Sequence, residues 1–291
     1  MSLPRSERGD RGGRELREGG ASGPPDMMTA AMDSSTLNGH LEKHLRVATF
    51  PVGIRALAPG EPVPEKARRP SKQMGVQVAI CQSIAFARRY GWTLAFSGED
   101  LACPIAKAAF GFAPRNAYYT SGALADGMYA ACREAGAAFE DALAKFDEGE
   151  IAHVVVGPLG RLPFEPETVC VYGNPAQVLR LVNAALYEKG GSFKTEFSGR
   201  GDCTDIVIRT RKTKEPQLIL PCYGDRIFGM AADDEMAFTF PFAMADRMVA
   251  GLEGTHAGGI RYPIPIFLRY QPEFPKSYQE LQRLWDEGKK D

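Results

Sequence analysis

Strand-like and helix-like patterns are clearest in residues 153–190, which read HVVVGPLGRLPFEPETVCVYGNPAQVLRLVNAALYEKG. Two short runs rich in valine, at 153–156 and 169–172, have the composition of buried strands. The spacing of apolar residues after the second run predicts a helix over 174–188, closed by two glycines. This stretch therefore predicts two strands of a sheet followed by a helix.

The start of that helix has the chemistry of a capped N-terminus. Asn174 is expected to cap the helix, with Pro175 at its first position and Gln177 reaching back as in a capping box. A phosphate-binding turn is the weaker alternative, because Gly173 is the one glycine present and a dinucleotide site needs several. Local structure explains these residues better than anion binding does.

The regions on either side show the same mixture of elements. Further helices are expected from about residue 37, at 74–90, from residue 103, twice within 121–146, and at 242–252. Further strands are expected at 50–57, 92–96, 217–221 and 236–240. Because helices and strands do not alternate strictly, the sequence predicts one mixed α+β domain over residues 37–258, with a central sheet flanked by helices.

Residues 1–36 differ in composition from the rest of the chain. Arginine recurs at every third position from 5 to 17, with glycines between, and few large apolar side chains are available for burial. The segment is expected to be a disordered tail. Acidic residues nearly cancel the arginines, and Met27, Met28 and Met32 are alternative initiators. A solvated tail or an over-extended start is therefore favoured over an RNA-binding arm.

Residues 259–291 are predicted to form an extended proline-rich arm and a short final helix. Four prolines between 263 and 275 stand among large apolar residues, which prevents regular sheet or helix. Such an apolar arm is expected to lie on the body of the protein or on a second subunit, as in a homo-oligomer. Ser277 and Glu280 predict a capping box at the start of the final helix.

Charge and hydropathy exclude several classes of protein. The chain has 291 residues, with 35 Lys+Arg against 36 Asp+Glu, and a formal net charge of -1. This balance argues against bulk electrostatic binding to nucleic acid. No apolar run has the length of a membrane span, and no signal-peptide core stands at the start. A cytoplasmic protein is expected, in which cysteines are thiols or metal ligands and not disulfides.

The six cysteines fall into two predicted groups. Four lie on a helix face, in a polar loop or at the ends of elements: Cys81, Cys103, Cys203 and Cys222. The others fit apolar helix and strand patterns and are expected in the core: Cys132 and Cys170. Cys103 precedes a proline and is expected at a helix N-cap, where the helix dipole favours a thiolate. Without a Cys-x-x-Cys pair, spacing alone favours singly buried thiols over a metal site.

Other polar motifs are less specific. Residues 221–226 follow an apolar strand, where functional loops are common, although a solvated Asp225–Arg226 pair explains them equally well. The acids at 233–235 suit a divalent cation or, more commonly, a solvated turn. His153 begins an apolar strand and is expected to be structural. The nucleophile elbow, the P-loop and the His-Glu-x-x-His helix are absent.

Several segments in order resemble domain of unknown function 169, also called the ArCR family. They are Phe50-Pro51-Val52-Gly53-Ile54, residues 81–88, Cys103-Pro104 with Phe110-Gly111-Phe112, residues 173–177 with Arg180-Leu181, Cys203, residues 221–226 and residues 233–236. The resemblance covers roughly residues 37–262, and no single motif carries it. The family pattern places cysteine at positions 81, 103, 203 and 222. Its Cys-x-Gly-Gly turn is replaced here by Cys103-Pro104-Ile105-Ala106, which keeps the thiol and removes backbone freedom.

This resemblance implies no reaction, but four matched thiols are the number that one metal centre needs. The leading hypothesis is an iron–sulfur cluster held by Cys81, Cys103, Cys203 and Cys222, with a redox or Lewis-acid role; structural zinc is the alternative. Arg88 is expected to offset the negative charge of the centre.

Two other classes of function remain open. One is a metal-free module that binds a small anion through Arg226, Asn174 and the helix starting at Pro175. The other is an assembly protein whose proline-rich arm docks on a second subunit. The hypothesis of electron transfer implies a redox partner, which the sequence does not identify.

Overall fold

The computed structural model describes residues 32–288, and its centre is one antiparallel sheet of six strands. The strands are β1 (Val52–Leu57), β2 (Leu94–Phe96), β3 (His153–Pro158), β4 (Thr168–Gly173), β5 (Gln217–Ile219) and β6 (Met236–Pro241). Their order across the sheet is β2-β3-β1-β4-β6-β5. β1 therefore lies between two strands that follow it much later in the chain, with Val52 opposite both Pro158 and Cys170.

Eleven α-helical segments surround this sheet within the described residues. They are α1 (Ser34–Leu45), α2 (Ile80–Tyr90), α3 (Pro104–Ala109), α4 (Ala117–Thr120), α5 (Arg133–Ala142), α6 (Pro175–Leu186), α7 (Asp202–Thr204), α8 (Thr210–Thr213), α9 (Tyr223–Phe228), α10 (Ala245–Ala257) and α11 (Lys276–Glu287). Two π-helical turns, Pro70–Met74 and Asp205–Arg209, add to them. The mixed α+β prediction is confirmed.

The sheet is covered on both faces, which explains its continuous apolar strands. In β4, Cys170 and Tyr172 pack into the core beneath α2, α3 and the π-helical turn at 205–209. Val169 and Val171, on the opposite face, pack against α1, α6 and α10. Successive residues of a strand point to opposite faces, so a strand buried on both sides has no polar alternation.

The predicted helix over 74–90 is six residues too long at its start. The structure has the separate turn Pro70–Met74, which ends at Gly75 with φ +66, and α2 begins only at Ile80. Between them the chain is extended, because the N–H of Val78 donates to the carbonyl of Asp100 at 2.8 Å. A tertiary backbone contact has replaced the helical hydrogen bonds that the local pattern favoured.

Residues 121–146 contain one helix and not two. Gly122, with φ +77, lies so close to α5 that a Cβ there would be 2.0 Å from the carbonyl oxygen of Arg133. The predicted first helix of this region is replaced by turns, and α4 lies just before it. Cys132 is an exposed N-cap of α5, so its predicted place in the core is wrong.

The two ends of the chain differ from expectation in part. Residues 1–31 of the predicted tail lie outside the described residues, while α1 already begins at Ser34, capped by the Asp33 side chain. In the C-terminal arm the hydroxyl of Tyr262 accepts a hydrogen bond from Asn174 at 3.1 Å. Beyond it the large apolar side chains are exposed, so the version in which the arm packs on its own domain is wrong.

The final helix also begins differently from the prediction. Its N-cap is Pro275, without a side-chain cap bond, and Glu280 pairs with Arg283 instead of closing a capping box with Ser277. Within residues 32–288, none of the helices combines the length and the apolar character that crossing a bilayer requires.

Candidate metal centre

The four cysteines singled out by the sequence line one cavity of about 370 Å³. Each stands at the beginning of a helix. Cys81 is the second residue of α2, Cys103 and Cys222 are the N-caps of α3 and α9, and Cys203 is the central residue of the single turn α7. The chain therefore brings together thiols that lie as far as 141 positions apart (222 minus 81).

Local sequence explains why these cysteines occupy helix starts. Pro104 suits the first position of α3, because that position needs no N–H donor and the proline ring presets φ. Gly201, with φ +73, supplies the left-handed conformation from which α7 starts. Packing of α3 on α7 and of α2 on α9 then faces the four helix starts toward the same space.

Two of the sulfurs have polar neighbours within the chain. The Cys222 thiol donates to Asp202 Oδ1 at 3.1 Å, and the Cys81 thiol lies 3.8 Å from the carbonyl oxygen of Gly224. Burial and the adjacent Asp202 carboxylate together raise the pKa of Cys222 to about 11. Burial, followed by the carboxylates of Asp225 and Asp202, also raises the pKa of Cys81. These groups remain neutral thiols at pH 7 unless a cation replaces their protons.

The pKa of the Cys203 thiol is strongly raised by its surroundings. Burial is the main cause of its strongly raised pKa, and the carboxylate of Asp202 comes next. Smaller contributions come from Cys103, Cys81 and Cys222. No three cysteine sulfurs of residues 32–288 lie within 4.8 Å of one another.

A pair of buried carboxylates lies against the cavity. Asp202 accepts hydrogen bonds from the backbone N–H groups of Cys203 at 2.8 Å and Cys222 at 3.3 Å. Asp225 is 1% exposed and accepts from the Tyr172 hydroxyl at 2.7 Å. Burial, together with repulsion by Asp202, raises the pKa of Asp225 to about 8. The pair therefore holds one proton next to the thiols near neutral pH.

The lining of the cavity also includes one member of a buried ion pair and an aromatic ring. Arg200, 3% exposed, donates to the carboxylate of Glu140, which is 1% exposed. The guanidinium of Arg200 also lies over the ring of Tyr129, 5.0 Å from its centroid. Arg200 and Tyr129 both line the cavity, and the charge of Arg200 is balanced by Glu140.

Comparison with known proteins identifies the family of the chain. A sequence profile of domain of unknown function 169, described as uncharacterised ArCR, matches residues 40–251. The chain belongs to this family. The resemblance seen in the sequence is thereby confirmed over residues 40–251.

One curated relative of this ArCR chain is an uncharacterised protein of Methanocaldococcus jannaschii. It is 36% identical over 114 residues, which cover 39% of this chain and 48% of the relative. The chain thus spans about half the length of that relative. No solved structure matches the chain.

The residues predicted to bind a small anion have partners within the ArCR chain. The Asn174 side chain accepts from the backbone N–H of Gln177, as predicted for its capping role. Arg226 donates to the carbonyl of Ala232 at 2.7 Å. None of Asn174, Arg226 and Arg88 lines the cysteine cavity. Anion binding through this set stays a prediction.

Arg88, the predicted charge partner of the centre, is 1% exposed and held from several sides. It pairs with Glu235 at 2.8 Å and lies over the ring of Tyr172, 4.0 Å from the centroid. Arg88 favours the ionised form of Asp225, although burial and Asp202 outweigh it. Arg88 therefore acts on the site indirectly, through its electrostatic effect on the carboxylate of Asp225.

Sequence reasoning missed the carboxylates that face the thiols. Of the two alternatives for residues 221–226, the solvated pair of Asp225 and Arg226 is wrong, because the Asp225 carboxylate is buried. A usable signal was present, since an acid directly precedes Cys203 and another follows Cys222 by three residues. Of the acids at 233–235, Glu235 pairs with Arg88 and Arg89, while Asp233 is fully exposed. Cys170 is buried in the core as predicted.

Proposed function

We propose that this chain is a cysteine-ligated iron–sulfur protein with a redox or Lewis-acid role. The observation that carries the proposal is the convergence of Cys81, Cys103, Cys203 and Cys222, from four separate segments, on one cavity. Four cysteine thiolates are the usual ligand set of a cubane cluster.

The cavity fits such a group in size and in donor chemistry. Its volume of about 370 Å³ equals that of roughly a dozen water molecules at ~30 Å³ each. The four thiols are the softest ligands that a protein offers, and they favour iron–sulfur clusters, zinc and copper(I) over hard cations. The remaining lining is largely apolar, which favours exclusion of water from the centre.

The sulfurs are more widely spaced than a single zinc ion requires. Zinc–sulfur bonds of ~2.3 Å place tetrahedral sulfurs about 4 Å apart. In the described part of the chain no three cysteine sulfurs are within 4.8 Å of one another. The larger iron–sulfur cubane separates its cysteine sulfurs by roughly 6–7 Å. A zinc ion would require these sulfurs to move closer together.

The chain's own residues contribute protons and charge to such a site. A cluster held by all four thiolates would supply one-electron chemistry, and a Lewis-acid role would require that one iron is left without a thiolate ligand. The carboxylates of Asp202 and Asp225 hold a proton beside it, and the hydroxyl of Tyr172 fixes the orientation of Asp225. Arg200, paired with Glu140, also lines the cavity. An electron-transfer role requires a redox partner, and reduced thiols require a reducing compartment such as the cytoplasm.

The test compares three serine variants after anaerobic reconstitution with iron and sulfide. Cys103→Ser and Cys222→Ser remove candidate ligands at helix N-caps, where serine is well tolerated. Cys132→Ser is the matched control, because Cys132 is also a helix N-cap but is exposed and lies outside the cavity. About four iron and four sulfide ions per chain are expected in the wild type and in the control.

The two ligand variants are expected to lose most of the bound iron and sulfide and the brown colour, while their circular dichroism stays native. Equal iron and sulfide in all three variants would rule out these cysteines as the ligands. If the wild type binds zinc without sulfide, and only the two ligand variants lose that zinc, the site is a structural zinc site and not an iron–sulfur cluster. A wild type that takes up neither metal would leave the anion-binding module as the better hypothesis.

A further inference from the structure

A second group of metal-ligating side chains lies on the opposite face of the sheet, between α1 and α10. His40 and His44 are one helical turn apart on α1, and Glu253 and His256 are three residues apart on α10. Spacings of three and four residues place side chains on the same face of a helix. The two helices pack against each other, so the two pairs face one another.

Three potential ligand atoms of this group lie close together. One ring nitrogen each of His40 and His44 and one carboxylate oxygen of Glu253 all lie within 4.8 Å of one another. His40 Nδ1 is 3.2 Å from Glu253 Oε1. The ring of His256 meets the ring of His44 edge to face, with their centroids 5.1 Å apart.

His44 has no explanation as a structural residue. It is 3% exposed, and neither of its ring nitrogens has a hydrogen-bond partner. A buried polar group without a partner is costly, and proteins keep such groups rarely. A cation bound between His40, His44 and Glu253 would give one of these nitrogens a partner.

The charged groups around His44 are Lys43 and Arg180, besides the carboxylate of Glu253. Lys43 Nζ is 3.9 Å from Glu253 Oε1, so a bound cation must displace an exposed lysine from that carboxylate. Arg180 is held by Thr255 and by the carbonyl of Leu252.

We propose that His40, His44 and Glu253 form a site for a zinc-class divalent cation, with His256 or water as the fourth ligand, which clamps α1 to α10. Imidazole and carboxylate ligands in this ratio suit Zn²⁺, Co²⁺ or Ni²⁺, and not Ca²⁺ or Mg²⁺, which prefer oxygen ligands alone. The site shares no residue with the cysteine cavity and does not depend on the proposed cluster.

The experiment titrates the full-length reduced protein with Zn²⁺ and with Co²⁺. The variants are His40→Gln and Glu253→Gln, because both side chains are partly exposed and both substitutions preserve volume. His153→Gln is the control, since His153 lies on β3 next to Arg69 and is not part of the site formed by His40, His44 and Glu253. Cobalt separates the two sites, because thiolate ligands add intense near-ultraviolet charge-transfer bands that imidazole and carboxylate ligands lack.

His40→Gln and Glu253→Gln are each expected to bind one Zn²⁺ per chain fewer than the wild type and His153→Gln bind. The thiolate–cobalt bands are expected to be the same in all four proteins, while the visible bands of the imidazole-bound cobalt disappear from the two variants. Zinc is also expected to raise the melting temperature of the wild type more than that of the variants. Identical zinc stoichiometry in wild type, His40→Gln and Glu253→Gln would overturn the proposal.

Discussion

At the scale of single residues, the chain holds a fully buried carboxylate at Asp100. Its Oδ2 accepts from Arg69 Nε at 2.8 Å, and its Oδ1 accepts from the Ser71 hydroxyl at 2.6 Å. Burial alone would raise the pKa of Asp100, but the hydrogen bonds from Ser71 and Arg69 outweigh it and lower the pKa to about 2. The ionised carboxylate is therefore a stabilising element of the fold.

This arrangement predicts a specific dependence of stability on pH. The folded pKa of Asp100 lies below its ordinary value of 3.8, so its contribution is present above about pH 4 and is lost as the pH falls toward 2. Asp100→Asn is expected to lower the free energy of unfolding at pH 7 by about 3 kcal/mol, because it leaves Arg69 without its buried partner. Urea unfolding at pH 7 and at pH 3 measures this difference.

Glu99 provides the matched control for Asp100. Its side chain is 73% exposed, and its carboxylate is 3.6 Å from Arg69 Nη2. Glu99→Gln is expected to change stability by less than about 0.5 kcal/mol, as for other exposed ion pairs. The difference in the free energy of unfolding between the wild type and Asp100→Asn is expected to be smaller at pH 3 than at pH 7. The same difference at both pH values would contradict the ionised, hydrogen-bonded state of Asp100.

At the scale of elements, two helical glycines have opposite structural roles. Gly39 lies within α1, and a Cβ there would have no atom within 4 Å. Gly251 lies where α10 crosses α6, and a Cβ there would be 2.3 Å from the carbonyl oxygen of Ala184. The first glycine weakens its helix, whereas the second allows two helix backbones to approach closely.

Substitution of these glycines by alanine is therefore expected to shift stability in opposite directions. Gly39→Ala should stabilise the protein by about 0.5–1 kcal/mol through helix propensity. Gly251→Ala should destabilise it by roughly 2 kcal/mol or more, because α10 must move away from α6. Thermal unfolding of the two variants, side by side, measures both effects. Shifts of the same sign would show that the packing of α6 on α10 has been misassigned.

At the scale of the whole molecule, the C-terminal arm leaves apolar surface uncovered. Ile266 is 99% exposed, Leu268 is 82% exposed and Tyr270 is 98% exposed. The final helix α11 exposes Leu284 and Trp285 as well. Consecutive exposed apolar side chains of this kind mark interaction surfaces. Docking of the arm on a second subunit therefore stays a prediction.

Deletion of residues 264–291 tests the role of the arm while keeping the Tyr262 hydroxyl next to Asn174. The melting temperature of the monomer is expected to change by less than about 2 °C, because the deleted side chains bury little surface within the chain. The oligomer is expected to dissociate, as measured by light scattering after gel filtration. The double variant Ile266→Ser/Leu268→Ser, which keeps the arm, should dissociate likewise. A wild type that is monomeric at high concentration would contradict docking.

Local chemistry was sufficient to predict many individual elements. The capping box of Asn174 and Gln177, the N-cap at Cys103 and the strands predicted at 153–156 and 169–172 follow from interactions within a few residues. All are present, and each strand extends beyond its predicted bounds. Where a contact from elsewhere competes, as at Val78, the local prediction was wrong. The cysteine pattern of the family was likewise visible in the sequence, residue by residue.

The meeting of distant residues was decided by tertiary structure alone. No spacing in the chain links Cys81 to Cys222, or His40 to Glu253, because their proximity depends on which elements share a face of the sheet. The insertion of β1 between β3 and β4 places α2, α3, α7 and α9 over one face and α1, α6 and α10 over the other. That order buries apolar side chains on both faces of the sheet, and this burial depends on strands that are far apart in the sequence, so no local pattern records it.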